Sequence, residues 1–338
     1  METYDGLRLN GPIKEKTHKV MIPVVEGAGD EVLQDTTVIH DVLEARHTDR
    51  PMYPEQADLM FLTRLVEFFI DELWVTTAMN TRWNDAVSKQ FAIFEFGNVL
   101  GRSFGLEGEA AFEVGHKVAD QMQSYLPWLG IDDEVGREVA DGFFRKASHA
   151  LNKAVGHKRF AFGNRPSLVD CCLYTGYYAH QYRDAGQAQI VMKRELPNLC
   201  YFLDQMHAGQ GLHIEGDLGI TEDFKDYLKV IGPSSASFAL ATQKAAAAKF
   251  ESLGVGDLCD GPLPPIEFEL DGQQFQRGSS AFTAWKLQRV QDAFAALDEK
   301  QKEYITPLIR EMEWAGVLAS APMYRLDRVD HQTVLKSI

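Results

Sequence analysis

The sequence predicts a mostly α protein: a small α/β segment at the N terminus, a long all-helical region, and a mainly helical extension at the C terminus. Three observations carry this. Val20-Met21-Ile22-Pro23-Val24-Val25 is a short β-branched run broken by a proline. Proline gives a strand ladder no N–H and restricts the residue before it, so this is a special backbone site and no ordinary central strand. From Leu59 onwards, apolar residues recur at three- and four-residue steps (Leu62, Leu65, Val66, Phe69, Leu73), which places them on one face of a long helix running towards Trp83. Residues 266–275 alternate apolar with polar around Asp271-Gly272, a strong hairpin signal set between helical patterns.

The elements come in the following order. After the proline run, Glu26-Gly27-Ala28-Gly29-Asp30 is a turn, 31–33 a second short strand, and Asp35-Thr36 opens a helix over 36–45 because both side chains cap free N–H groups well. Arg50-Pro51-Met52-Tyr53-Pro54 is a proline-bounded linker. Further helices lie within 112–122 and 135–155, with Pro127-Trp128-Leu129-Gly130 as a break. Phe162-Gly163-Asn164-Arg165-Pro166-Ser167-Leu168-Val169-Asp170 leads into an aromatic helix at 171–182, and Ser167 with Asp170 forms an S-x-x-D capping box. Gly232-Pro233 marks the start of the last part. There an alanine-rich helix at 238–250, a linker Gly261-Pro262-Leu263-Pro264-Pro265, the hairpin, and helices at 280–297 and 299–315 are expected. In those helices Lys286, Arg289 and Arg310 are matched by Asp292, Glu311 and Glu313, which reads as a solvated face. The division is therefore 1–50, 51–232 and 233–338.

Composition excludes several functions. A net charge of −15 argues against nucleic acid or an anionic membrane surface as partner, since both call for a basic patch. Residues 1–19 are polar, without the pattern of a signal peptide, and no apolar run reaches a membrane span, so the cytoplasm is the expected location. Cys171, Cys172, Cys200 and Cys259 contain no C-x-x-C pair or zinc spacing, and the ten histidines are scattered, so no metal is expected. Cys171 and Cys172 read as small buried side chains, with a redox role for Cys172 as the alternative.

The order strand, turn, strand, helix, with a proline in the first strand and an acid-hydroxyl pair opening the helix, resembles the second half of the thioredoxin-like domain of glutathione S-transferases. The glycine-proline entry into the Ser167/Asp170 box resembles the start of a buried helix in the all-helical second domain of that family, and the resemblance spans about residues 18–232. It implies a partial thioredoxin-like domain followed by a glutathione-transferase-type helical domain. It also implies a cis Pro23, pairing of the Ile22 backbone with the cysteinyl amide of glutathione, and reception of the γ-glutamyl end by Asp35 and Thr36. The physics is coherent, because a helix N-terminus offers free N–H groups and a positive dipole end to a carboxylate. Met79, Arg82, Trp83 and Tyr178 then become candidates for the site of the second substrate, a small electrophile, while Tyr174 and Tyr177 read as core. Glutathione is the implied co-substrate and a homodimer the implied assembly. One departure matters. Only 22 residues precede Pro23, where the family has a strand, a helix and another strand, with the Tyr, Ser or Cys that activates the thiol at the end of the first strand or the start of the first helix. No position here inherits that role, and the front reads as a missing segment, with the edge of the proline-bearing strand to be covered by residues 1–19, by the extension or by a second chain. Two readings stay open: a transferase that conjugates or reduces an electrophile once that segment is supplied, and a non-catalytic scaffold or binding protein.

Overall fold

The computed structural model describes residues 6–157, 160–209, 216–320 and 322–337. Strands β1 (Val24–Glu26) and β2 (Val32–Gln34) pair antiparallel with Val25 opposite Leu33. The ladder starts after Pro23, whereas the β-branched run begins at Val20. The Ile22–Pro23 peptide is cis, and a residue without an N–H cannot extend the pairing. The turn between the strands puts Gly29 at φ 70° and Asp30 at φ 66°, a left-handed conformation that glycine takes freely and aspartate tolerates. Among the described residues, β1 and β2 pair only with each other. The helical turn Lys14–Thr17 packs on β2, the Lys16 ammonium donates to the Asp30 carbonyl at 3.0 Å, and the Met21 N–H donates to the Gln34 side chain at 2.9 Å. Residues 14–21 therefore lie along the hairpin, as one of the three expected covers.

Helix α1 (Thr36–Arg46) begins at Asp35, whose carboxylate accepts the Thr37 N–H at 2.9 Å. Next comes the central rod of the molecule: α2 (Ala57–Phe68), a π-helical turn (Phe69–Leu73) and α3 (Val75–Trp83). Leu62, Leu65, Val66, Phe69 and Leu73 are fully buried, as their spacing predicts, but so are Phe61 and Phe68. The rod is covered on two sides. Helix α7 packs on one, after α4 (Ala86–Phe96), α5 (Gly108–Gln123) and α6 (Glu134–His157) have intervened, and α7 itself is Leu168–Tyr177. The other side receives a helix of the extension. At about 1.5–3 kcal/mol for each large apolar side chain taken from water, these residues dominate the stability of the rod. The Ser167/Asp170 capping box is present, and α7 is extended by a π-helical turn Tyr178–Tyr182 before α8 (Gln187–Glu195) and α9 (Pro197–His207).

The boundary expected at Gly232-Pro233 is not a break. Helix α10 (Glu222–Phe250) passes through it without interruption. A proline inside a helix removes one backbone hydrogen bond, and tertiary contacts hold the helix together here. Gly232 lies so close to Met312 that a β-carbon would come within 2.6 Å of the Met312 Cβ. The Ser235 hydroxyl donates to the Gly232 carbonyl at 2.9 Å and accepts the Trp314 indole N–H at 3.0 Å. The Gly-Pro pair is thus a close crossing of chain segments and not a linker. Phe68, Phe238, Phe268 and Trp314 meet there in one aromatic cluster, so the helical region and the extension share a core.

The hairpin predicted at Asp271-Gly272 is formed by β3 (Ile266–Leu270) and β4 (Gln273–Arg277), with Phe268 opposite Phe275 and both turn residues at positive φ. Helices α11 (Ala281–Ala295), α12 (Glu299–Glu311) and α13 (Ala315–Ala319) come next, and α11 is the element that covers the second side of the rod. A second hairpin, β5 (Arg325–Val329) and β6 (Gln332–Ser337), closes the chain around Asp330 and His331, both left-handed. Its turn has no glycine, so the usual signal is missing. The molecule is mostly helical with three small two-stranded sheets among the described residues. No described helix is long and apolar enough to cross a membrane.

Candidate ligand cleft

Stretches that are distant in sequence converge on a cleft of about 540 Å³. The start of α1 contributes Asp35 and Thr36. The π-helical turn of the rod contributes Asp71 and Glu72. The extension contributes Arg277 at the end of β4, and Ser280, Thr283 and Lys286 from the start of α11. Two helix N-termini therefore face one space, each with first-turn N–H groups that the helix itself does not satisfy.

The charges in the walls are arranged in a definite order. Lys286 is only 4% exposed and makes an ion pair with Asp71. Burial pulls its pKa down, but Asp71, Glu67 and Glu72 together hold it above the ordinary lysine value. Burial pushes the carboxyls of Asp71 and Glu72 up, against the pull of Lys286. The Thr283 hydroxyl donates to the Glu72 carboxylate at 2.6 Å, and the Ser280 hydroxyl, 3.0 Å from that of Thr283, caps α11 by accepting the Thr283 N–H at 3.1 Å. Arg277 is 3% exposed. It donates to the backbone carbonyls of Gly278 and Glu72 at 3.0 and 2.9 Å and to the Thr76 hydroxyl at 2.7 Å. Burial lowers its pKa to about 10.

Beneath the cleft a second set of charges fixes α1 on the rod. The Thr37 hydroxyl donates to Glu67 at 2.8 Å, Arg64 bridges Glu67 at 2.9 Å and Asp41 at 2.8 Å, and Arg289 of α11 reaches Asp41 at 2.7 Å. Burial raises the Glu67 carboxyl, yet Lys286, Arg64 and Arg289 hold it below its ordinary value. The position of Asp35 and Thr36 is thus set by the interactions of Thr37 and Asp41 on the same helix.

Of the residues singled out in the sequence, Asp35 and Thr36 line the cleft. Asp35 is the helix cap and Thr36 the first helical residue. Ile22 is 65% exposed, and neither it nor Pro23 is part of the cleft wall, where Met21 stands instead. Met79, Arg82, Trp83 and Tyr178 are not brought there. Met79 and Trp83 are buried in the core, Trp83 stacked on Phe96 with ring centres 6.2 Å apart. Arg82 is paired with Asp184 at 2.6 Å and donates to the Ala179 carbonyl, while Tyr178 stacks on His207 and packs against Tyr174. Tyr177 is core, packed on Trp74. Burial pushes the Cys171 thiol up to about 12 and the Cys172 thiol well above its ordinary value, which disfavours a thiolate at either.

Sequence reasoning missed Asp71, Glu72, Arg277, Thr283 and Lys286. The solvated face expected for Lys286 and Arg289 is corrected by the structure: their partners are Asp71 and Asp41, far away in sequence, while Asp292 pairs with Arg325. One signal was present. Asp71-Glu72 is an acid pair inside the apolar run Phe68-Phe69-Ile70 and Leu73-Trp74, and acids there need buried partners. No family model, curated protein or solved structure matches this chain.

Proposed function

We propose that this chain is a glutathione-transferase-like protein whose cleft binds glutathione or a related γ-glutamyl peptide, with β1, β2 and α1 as the second half of a thioredoxin-like domain. One observation carries the reading. Asp35 and Thr36, the pair that the resemblance assigns to the γ-glutamyl end, sit at a helix N-terminus on a cleft wall, and the buried cations Lys286 and Arg277 line the same cleft. A γ-glutamyl group carries a carboxylate for the first-turn N–H groups and the Thr36 hydroxyl, and an ammonium for the Asp35 carboxylate.

The second reading, a binding protein without transferase chemistry, also has an observation in its favour. Among the described residues the cleft is lined by no tyrosine and no cysteine, and the hydroxyls of Ser280 and Thr283 are engaged in capping α11 and in bonding Glu72. Conjugation would require a donor that stabilises the glutathione thiolate. A small electrophile as second substrate, a cytoplasmic location and a homodimer belong to the transferase form of the proposal.

Calorimetric titration of glutathione into the 338-residue chain tests the shared part. Thr36→Ala should weaken binding by about tenfold, the loss of one charge-assisted hydrogen bond. Stability should change little, because the cap is Asp35. Equal affinities would remove Thr36 from the site. Turnover of a general electrophile by the same chain separates the two readings, since robust conjugation abolished by Thr36→Ala requires an activating group within it.

A further inference from the structure

Arg277 presents an unusual charge balance. Taking a guanidinium out of water is costly unless a carboxylate or an equivalent anion lies against it. Two other cations of the cleft wall have such a partner: Lys286 has Asp71, and Arg328 has Asp260 at 3.7 Å. Arg277 has none within ion-pair distance among the described residues. Its Nε and Nη1 donate to two carbonyls and a hydroxyl, and its Nη2 makes no hydrogen bond with any of those residues. The carboxylate of Glu72 is close enough to act on it electrostatically, but it accepts its hydrogen bond from Thr283. The aromatic faces of Trp128 and Phe238, 5.4 and 5.1 Å away, hold the guanidinium plane in place.

Arg277 stands in the wall between two spaces. Behind Trp128 is a second cavity of about 530 Å³, which is lined by Asp132 and Asp133 and, among the described residues, by no cation other than Arg277. An anion there would meet two acids. The cleft wall also carries acids, Asp35, Asp71, Glu72 and Asp260, but they are matched in number by Lys19, Arg277, Lys286 and Arg328, and the N-terminus of α11 opens there. The favourable position for an anion is therefore on the cleft side, whose wall also includes Thr36.

We propose that Arg277 receives a carboxylate of the bound ligand, so that the extension holds the second acidic end of a small dianionic peptide whose first carboxylate lies at the start of α1. For glutathione, the group on Arg277 is the glycyl carboxylate. This rests on the cleft being the γ-glutamyl peptide site.

The experiment compares glutathione with its glycyl monoethyl ester by calorimetry, because the ester deletes the second carboxylate without altering the protein. The unaltered chain should bind the ester at least about tenfold more weakly, Arg277→Gln should bind both alike, and Thr36→Ala should weaken both by the same factor. Arg277→Lys keeps the charge and serves where Arg277→Gln does not fold, with the discrimination reduced but present. Equal binding of glutathione and ester by the unaltered chain would overturn the assignment while leaving the cleft as the glutathione site. Should neither bind, the function proposed above fails, and titration with sulfate decides the anion site alone. A change in Trp128 emission that is lost in Trp128→Phe and in Arg277→Gln upholds it, and no change in the unaltered chain overturns it.

Discussion

Replacing Lys286 by methionine removes the ammonium that faces Asp71 and leaves Asp71 and Glu72 as carboxyl groups in the wall of the cleft. Breaking a buried pair by removing one partner costs about 3–5 kcal/mol. The Lys286 side chain is 4% exposed and that of Asp71 25%, so water reaches one of the two, and the lower end, about 3 kcal/mol, is expected. For a chain of this size that lowers the melting temperature by roughly 4 °C. The loss should depend on pH. Burial already raises both carboxyls against the pull of Lys286, and without the lysine their folded-state values rise further. A carboxyl whose folded pKa lies above its unfolded value costs stability at pH above that folded value. The cost fades as the pH falls towards the unfolded value of about 4. Urea unfolding followed by circular dichroism should therefore show a large deficit for Lys286→Met at pH 8 and a much smaller one at pH 5. Adding Asp71→Asn should recover at least about 2 kcal/mol of it at pH 8, since the variant then carries one buried charge fewer. A deficit below about 1 kcal/mol at pH 8, one independent of pH, or a double variant no more stable than Lys286→Met would refute the pairing as the reason Lys286 is buried.

The remaining predictions concern folding away from the cleft. Ser167→Ala should cost about 1 kcal/mol. Asp170→Ala should cost about 2–3 kcal/mol, because the Asp170 carboxylate accepts the N–H groups of both Ala161 and Ser167, at 2.7 and 2.8 Å. Thermal melts rank the two, and the reverse order would show that Asp170 is not the hub of the box. Burial, with Arg82 nearby, lowers the pKa of His180 to about 3, so the folded chain keeps the ring neutral while the unfolded chain protonates it near pH 6.5. This contribution to stability is complete above pH 6.5 and is lost as the pH falls towards 3. Asp170 works the other way, since burial raises it to about 6 and its proton favours the fold as the pH drops. Melting His180→Gln beside the parent from pH 7 to 4 isolates the histidine, and the variant should lose less stability over that interval. Parallel curves would show that His180 is not titrating.

Much of the fold was legible because its signals are local. The cap at Asp35, the box at Ser167 and Asp170, and the Asp271-Gly272 turn each lie within a few residues of the backbone they control, and the helix rod from Leu59 repeats a pattern long enough to average out exceptions. The cleft was legible only at Asp35 and Thr36. Lys286 and Arg289 stand beside plausible sequence neighbours, and nothing local reveals that their partners lie more than 200 residues earlier. Gly232-Pro233 misleads for a related reason. A Gly-Pro pair marks the start of a new part and a tight crossing alike, and the difference lies in Met312 and Trp314, which only the folded chain brings near.

The π-helical turn at Phe69–Leu73 explains why the cleft lies where it does. A regular helix keeps one face on the core throughout, and a π-turn inserts a residue that shifts the register of the helix beyond it. Before the turn, Leu62, Leu65 and Val66 fill the core; within it Phe69 and Leu73 stay buried while Asp71 and Glu72 line the cleft; after it Trp74 and Ala78 return to the core. The two acids thus sit in the wall of a rod that is apolar on either side, and they require partners from outside it. Helix α11 supplies Lys286 to Asp71 and the Thr283 hydroxyl to Glu72, while Arg277 of β4 bonds the Glu72 backbone carbonyl. The same contact that covers the second face of the rod therefore builds the charged half of the cleft. A substitution that loosens α11 should then lower glutathione affinity and stability together, whereas Thr36→Ala, at the start of α1, should lower affinity alone.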